Sequence, residues 1–413
     1  MKLQKWGIAL VAVLFAACSD NDGAPMPDPI PEGEALEITT LITEDNEGKF
    51  STDVCVKGSN IVVDWGDGKR EVVSSENHTT DFLHTYKKGG TYTIKIQKNV
   101  IRELILGDAI GTLPQELTIS SCPLLEKLDI SLQPNLSSFR AINCPKLTKV
   151  SAGLCPQLTE LDLSGIPGLK SLECWACKRL SSLDVSSLTM LTYLRCSETS
   201  ISRLDLSSNT MLERLILTST PITTIDLKSQ TALTELQLSQ NQMENLNVTH
   251  NEQLSNLACV SNPIKNIDLT HNPNLVKFNC NGCQITTLDL SANKGLSLLA
   301  CAENKLTTLD VSHNEHLVAL SCRKNHLTEL NMKNNTVINL IDCGENKMER
   351  DALETLFDAL PDYTSKAVKG DLIPPRPQRM IAIQGNPGAD RCAKQIFEKK
   401  GWIETGNLSN YIQ

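Results

Sequence analysis

LACAENKLTTLDVSHNEHLVALSCRKNHLTELNMKN, residues 299–334, repeats itself. Cys301 returns as Cys322, Asn304 as Asn325 and Leu309 as Leu330, each after 21 residues. Within one period the pattern L-x-x-L-x-(L/C)-x-x-N occurs twice. Followed outward, half-units start at Leu125, Leu136, Leu147, Leu158, Leu169, Leu180 and Leu191, in steps of 11. Beyond Leu191 the starts alternate in steps of 10 and 11, through Ile201, Leu212, Ile222, Leu233 and onward to Ile338 and Met348. Two half-units make one coil.

The residue types follow from burial. Alternate side chains on a strand point to opposite faces, so positions 4 and 6 of a half-unit both point inward. One coil cannot bury that face alone, but stacked coils can. The Asn at position 9 turns inward where the strand bends, to bond backbone groups that burial would leave unpaired. Asn241, Asn262, Asn304, Asn325 and Asn346 form one such column; Asn209, Asn251, Asn272, Asn293, Asn314 and Asn335 form a second on the other side of the coil. Cys174, Cys196, Cys259, Cys280, Cys301, Cys322 and Cys343 occupy position 6, and Leu217 and Leu238 take the same place in two coils. A slot open to Leu or Cys is an apolar packing slot.

A period of 21 lies in the range of leucine-rich repeats, and residues 106–348 resemble bacterial leucine-rich repeats of the internalin-like surface type. The resemblance implies a mainly β repeat protein, a solenoid of about 21-residue coils. Upstream, VVDWGDG, HTY and GGTYTIKI, carrying Trp65, Gly66, Asp67, Gly68, His84, Tyr86, Gly90 and Tyr92, resemble a PKD-like immunoglobulin-type β-sandwich over residues 35–105. Such domains are spacers or adhesive modules. Asp64 and Asp67 read as turn carboxylates before calcium ligands. Downstream, residues 349–413 read as a small α/β cap: a helix in ERDALETLFDALPD, a strand and turn in MIAIQGNPG, and a second helix in ADRCAKQIFEKKGW stopped by Gly401.

Residues 1–17 have Lys2 and Lys5 ahead of the apolar run WGIALVAVLFAA, too short to span a bilayer as a stable helix. LFAAC, ending at Cys18, resembles a bacterial lipobox, with Phe15 departing from the usual aliphatic residue. The resemblance makes residues 1–17 a lipoprotein signal peptide and Cys18 the lipidated residue. Residues 18–34, rich in Pro, Gly and acids, read as a flexible tether. The acidic stretch after Cys18 resembles the surface-export signal of some Gram-negative lipoproteins, which implies a surface-exposed outer-membrane lipoprotein.

A net charge of −9 argues against nucleic-acid binding. There is no nucleophile elbow, H-E-x-x-H or P-loop. CWAC (Cys174, Cys177) and CNGC (Cys280, Cys283) have C-x-x-C spacing, yet the register explains both. Five coils at about 4.8 Å separate them by more than about 20 Å, so they cannot share a metal. We expect no enzyme, cofactor or metal. The Asp-bearing face (Asp184, Asp205, Asp226, Asp268, Asp289, Asp310) is monotonous, whereas the Cys-bearing face varies from coil to coil. Aromatic and Arg side chains anchor interfaces, so Trp175, Tyr193, Arg195 and Arg214, with Glu235, Gln237 and Lys277, are the candidate ligand residues. The expected function is that of a cell-surface-anchored, adhesin-like monomer that binds an extracellular protein; the alternative is a glycan-binding accessory lipoprotein without catalysis. One feature resists the register. LDI at Asp129 and LDL at Asp162 lie 33 residues apart, three half-units. Either the half-unit types swap sides or the early coils differ in shape.

Overall fold

The computed structural model describes residues 25–43, 50–106, 115–364, 379–408 and 412. The expected signal peptide and Cys18 lie outside the described residues. The chain opens with an antiparallel unit of β1 (Ala35–Ile42), β2 (Phe50–Asp64), β3 (Arg70–Tyr86) and β4 (Gly90–Gln97). β1 pairs with β4, and β2 with both β3 and β4. The sequence here is rich in Val, Ile, Thr and Tyr, which fit a pleated surface. Trp65 is buried, with the His84 ring stacked on it at 4.7 Å and Tyr86 donating its hydroxyl to the Trp65 carbonyl at 3.0 Å. Asp64 and Asp67 accept the N–H groups of Gly66 and Lys69, so both carboxylates close turns. Asp67 also bonds His84 Nε2 at 3.0 Å.

β5 (Ile101–Ile105) pairs antiparallel with β2 on one side and parallel with β7 (Lys127–Asp129) on the other. One strand therefore joins the N-terminal unit to a long parallel ladder. The ladder continues through β9 (Lys149–Ser151), β11 (Ser171–Glu173), β12 (Tyr193–Arg195), β13 (Arg214–Ile216), β14 (Glu235–Gln237), β15 (Asn256–Ala258) and β16 (Lys277–Asn279). It runs on through β17 (Leu298–Ala300), β18 (Ala319–Ser321) and β19 (Leu340–Asp342). On the opposite side, β6 (Glu116–Ser120), β8 (Ser138–Ile142) and β10 (Glu160–Gly165) form a short parallel sheet.

This arrangement resolves the LDI and LDL spacing. Asp129 lies on the long ladder, in β7, and Asp162 on the short sheet, in β10. The Asp-bearing half-unit thus stands on the ladder side at Asp129 and on the opposite side from Asp162 onward, and in both places its carboxylate accepts the N–H two residues on; the early coils also differ in shape. They are 22 residues long with strands on both sides, and later coils shorten to 21 and keep a regular strand on one side only.

Three residues per strand leave most of each coil outside regular pairing, and two devices hold it. The first is a column of left-handed residues just past each ladder strand from β7 on: Leu132, Leu154, Ala176, Glu198, Ser219, Gln240, Ser261, Glu303, Lys324 and Glu345, with Gly282 and Gly385 in line. That conformation costs a non-glycine residue about 1 kcal/mol. Each is held because its N–H donates to the next coil's backbone, as Ala176 does to the Ser197 carbonyl at 2.8 Å and Lys324 to that of Gly344 at 3.0 Å.

The second device is the amide column beside it. Asn304 donates Nδ2 to the carbonyls of Cys280 (2.9 Å) and Cys301 (3.1 Å), while its Oδ1 accepts the Ile285 N–H at 3.0 Å. Asn325 and Asn346 repeat the pattern. In the opposite column, Asn293 donates to the carbonyls of Leu269 and Asn272, and its Oδ1 has no protein partner.

The C-terminal segment carries the ladder further. α1 (Arg350–Ala359) buries Leu353, Leu356 and Phe357, as its apolar spacing predicts. β20 (Met380–Ala382) then pairs parallel with β19, and β21 (Ile403–Glu404) with β20. Asn386 completes the amide column, donating to Cys343 and Ile383 and accepting the Met348 N–H. The second helix is far shorter than ADRCAKQIFEKKGW suggests. α2 spans Gln395–Glu398, because turns from Gly388 onward precede it and the Ala393 N–H is taken by Glu354.

Asn304→Ala orphans one buried N–H and removes a donor from three carbonyls, those of Cys280, Cys301 and Ala302, at about 1–3 kcal/mol for each buried group left unpaired. Asn293→Ala orphans no N–H and also removes a buried unpaired oxygen. In chemical denaturation, Asn304→Ala is expected to lose clearly more stability than Asn293→Ala. Asn304→Cys should fall between wild type and Asn304→Ala, because Cys283 in the same column still donates to the Cys259 carbonyl.

Candidate ligand face

The outward side chains of the ladder form three columns, at the first and third strand residues and at the position two residues past the strand. All seven sequence-predicted residues lie on this face, across β11 to β16, a span of about 24 Å at strand spacing. The structure brings them into two stacks and a groove. Trp175 is pressed on Gly153 of the preceding coil, where a Cβ would sit 2.5 Å from the indole Nε1. The Arg195 guanidinium lies 5.0 Å over its ring centroid. One coil on, Arg214 lies 4.9 Å over the Tyr193 ring and donates Nε to Glu235 Oε2 at 2.7 Å. Gln237 Nε2 holds the other oxygen of Glu235 at 2.6 Å.

The second stack follows from strand register, whereas Arg195, in register with Glu173, reaches Trp175 diagonally. Parallel pairing places Tyr193 beside Arg214 and Arg214 beside Glu235 in register, so each long side chain lies on its neighbour one coil away. Stacking a guanidinium on an aromatic face is worth about 0.5–1 kcal/mol at such half-exposed sites and fixes its direction. Lys277 does not join either stack. It stands exposed across an open groove of about 320 Å³, whose lining includes Glu235, Gln237, Asn256, Asn279 and Leu298.

Beyond the groove the face changes character. Its outward residues become Leu298, Ala300, Ala319, Leu340, Met380 and Ala382, and Leu408 and Ile412 of the C-terminal segment pack on them. The Leu408 N–H donates to Asp342 Oδ2 at 3.0 Å. Asp342 is fully buried, its Oδ1 accepts the Gly344 N–H, and Arg323 Nη1 stands 3.7 Å away. Burial pushes the Asp342 carboxyl above the usual range, against the pull of the Leu408 and Gly344 N–H groups and of Arg323. Arg323 also pairs with Glu345. Sequence reasoning missed this covered end. Its signal is the loss of alternation: LLACA at 298–302 and MIAI at 380–383 read as strands buried on both faces.

The remaining candidates have structural addresses. Cys177 and Cys283 donate their thiols to the carbonyls of Ala152 and Cys259, at 3.0 and 3.3 Å, standing in for column asparagines. The position-6 cysteines are fully buried, and burial pushes the Cys301 thiol up to about 12. Among the described residues no group of three or more His, Cys, Asp or Glu is placed to hold a metal. On the opposite face, Asp205, Asp226, Asp268, Asp289 and Asp310 each accept the N–H two residues on. Asn247 and Asn331 make the same bond, so the column works with an amide or a carboxylate.

With the geometry in hand, comparison with solved structures identifies the fold. An internalin, InlF, from Listeria monocytogenes superposes with a TM-score of 0.50 at 17% identity, covering 61% of this chain and 88% of that one. The chain has the leucine-rich-repeat fold of the internalins. The functional domain of InlJ from the same organism, described as including a cysteine ladder, gives 0.49 at 23% identity over 72% and 77% of the two chains. A leucine-rich-repeat protein of Leptospira interrogans gives 0.46 at 16% identity over 68% and 90%. No protein-family model and no curated protein sequence matches the chain. No helix among the described residues is long and apolar enough to cross a membrane.

Two measurements check these assignments. A thiol reagent applied to the native leucine-rich-repeat solenoid should leave the position-6 column unmodified, and the same thiols should react on unfolding. Of the described cysteines, Cys392 is the one that is partly exposed. The hydroxyl and N–H groups two residues on hold Asp205 and Asp268 below the usual carboxylate range. A lowered folded pKa stabilises above the unfolded value of about 3.9, and that stability is lost as pH falls through the folded value. Changing Asp205, Asp226 and Asp268 together to Asn keeps the turn bond and removes the titration. The melting temperature of the variant should therefore fall less steeply than that of the native chain below about pH 4.

Proposed function

We propose that this chain is a cell-surface lipoprotein that binds an extracellular protein through the variable face of its ladder. The observation that carries the reading is the ordering of that face. Trp175, Tyr193, Arg195 and Arg214 are held in two aromatic–guanidinium stacks beside an open groove. Side chains fixed before binding lose little rotamer entropy on binding, which costs about 0.5–1.5 kcal/mol for each free long side chain. Nothing needed for solenoid stability asks for aromatics and arginines at outward positions that other coils fill with Ala or Asn.

In this reading Cys18 carries the lipid, residues 18–34 are the tether, and the Trp65–His84–Tyr86 unit is a PKD-like spacer that lifts the array from the membrane. The leucine-rich-repeat fold supports a binding role in general terms. Glu235, Gln237 and Lys277 supply polar contacts around the groove, and the chain works as a monomer.

The test is capture from a mixed panel of extracellular proteins and polysaccharides by the ectodomain and by a variant with Trp175, Tyr193, Arg195 and Arg214 all changed to Ser. Protein capture by the native chain that drops about tenfold or more in the folded variant is the expected result. Capture of the same protein undiminished by the substitutions would move the site off this face. Capture of polysaccharide alone would replace the protein reading by a glycan-binding one.

A further inference from the structure

The charges of the ladder face balance everywhere but at two places. Of the basic side chains in its outward columns from β7 to β19, Lys127, Lys149, Arg214 and Arg323 each pair with a carboxylate, those of Glu103, Glu173, Glu235 and Glu345. Arg195 and Lys277 have neither an ion pair nor a side-chain hydrogen bond among the described residues. Glu173 stands beside Arg195 in register, yet its carboxylate turns to Lys149 on the coil before, at 3.3 Å. Glu235 is held by Arg214 at 2.7 Å and by Gln237 at 2.6 Å. The outward columns from β9 to β16 hold no other carboxylate. On a chain of net charge −9 they set Lys149, Arg195, Arg214 and Lys277 against Glu173 and Glu235, and are net positive.

Arg195 is also positioned for a counter-charge. Its guanidinium lies over Trp175, and its Nε is buried with no hydrogen-bond partner. A half-buried cation without a counter-charge costs free energy, which an incoming carboxylate recovers. The stack fixes the guanidinium plane, and a fixed plane offers its N–H groups to a carboxylate as a fork. Lys277 borders the open groove four strands further along the ladder, about 19 Å away at strand spacing. The side-chain amides of Gln237 and Asn256 line the groove on the strands between. An extended chain advances about 3.3 Å per residue, so it covers that distance in about six residues. Residues an even number apart on such a chain point to the same side.

We infer that the ladder face takes an acidic segment of its protein partner: an extended stretch running along the ladder, with two carboxylates about six residues apart, one on the Arg195 guanidinium and one on Lys277. The inference rests on the reading of the ladder face as the binding face, and adds the chemistry of what binds there. Charge complementarity sets the choice of face as well. The opposite side carries the column of Asp205, Asp226, Asp268, Asp289 and Asp310, which repels such a segment. The stretch around Arg195 and Lys277 attracts it.

The experiment selects displayed random peptides, long enough to hold both acids, on the full native chain and on a variant with Arg195→Gln and Lys277→Gln. Circular dichroism checks that the variant is folded. The expected result is enrichment, on the native chain alone, of peptides with Asp or Glu at two positions about six residues apart. A synthetic peptide of the enriched sequence should bind the single variant Arg195→Gln about tenfold more weakly. Arg195→Lys, which keeps the charge and loses the fork, should fall between that variant and the native chain. Arg195→Glu with Lys277→Glu should turn the selection toward Lys and Arg. Enriched peptides without acidic residues would overturn the inference, as would acidic peptides bound equally by the native chain and the Gln variant, or no enrichment on any chain. Binding of a sulfated polysaccharide in preference to every peptide would overturn it too, by making the ligand an anionic glycan. The panel capture fails separately. Capture that survives the Ser substitutions moves the site off this face, whereas capture lost in that variant with no acidic pair among the peptides removes only the acidic segment.

Discussion

Every later coil of this molecule depends on an amide that reaches back one coil. Asn304 touches the carbonyls of Cys280 and Cys301 and the N–H of Ile285, so one side chain ties its own strand end to the coil before it. The bend that follows each strand is buried between neighbours, and its polar groups have no water to turn to. The amide column solves this at most levels, with a thiol standing in at Cys177 and Cys283, and the left-handed residue beside it delivers its own N–H to the next coil. Remove that constraint and a strand of three residues has little else to define its ends.

The same constraint explains what the cysteines do. At position 6 they fill an apolar slot one side chain deep, interchangeable with Leu217 and Leu238. At position 9 Cys177 and Cys283 use a weak thiol donor where the column otherwise has an amide. Two C-x-x-C motifs thus arise from one column of packing and one of hydrogen bonding, crossing at the spacing of a redox motif.

With the interior fully assigned, the outward positions are free to differ, and they differ along the ladder. Charged and aromatic residues stack across β11 to β14, a polar groove follows, and an apolar end is closed by Leu408 and Ile412. In-register pairing converts a list of residues 21 or 22 apart into contiguous stacks. The face thus carries three different chemistries along its length.

By itself the sequence determined the solenoid, its period and both asparagine columns, because a repeat writes the same burial problem many times over and the answer shows as periodicity. It also determined which outward face varies, and hence the seven candidate residues. The tertiary structure decided what those residues do to one another. That Arg195 lies on Trp175, and Trp175 on Gly153, follows from coil stacking that no single coil's sequence contains. It decided the sides of Asp129 and Asp162, since half-units so alike in sequence differ only in which neighbours they pair with. It decided too that α2 is one turn long, because Glu354, far away in the chain, takes the Ala393 N–H. And it decided that residues 342 and 408 meet, a contact between a strand and a chain end 66 residues apart that carries no periodic signature.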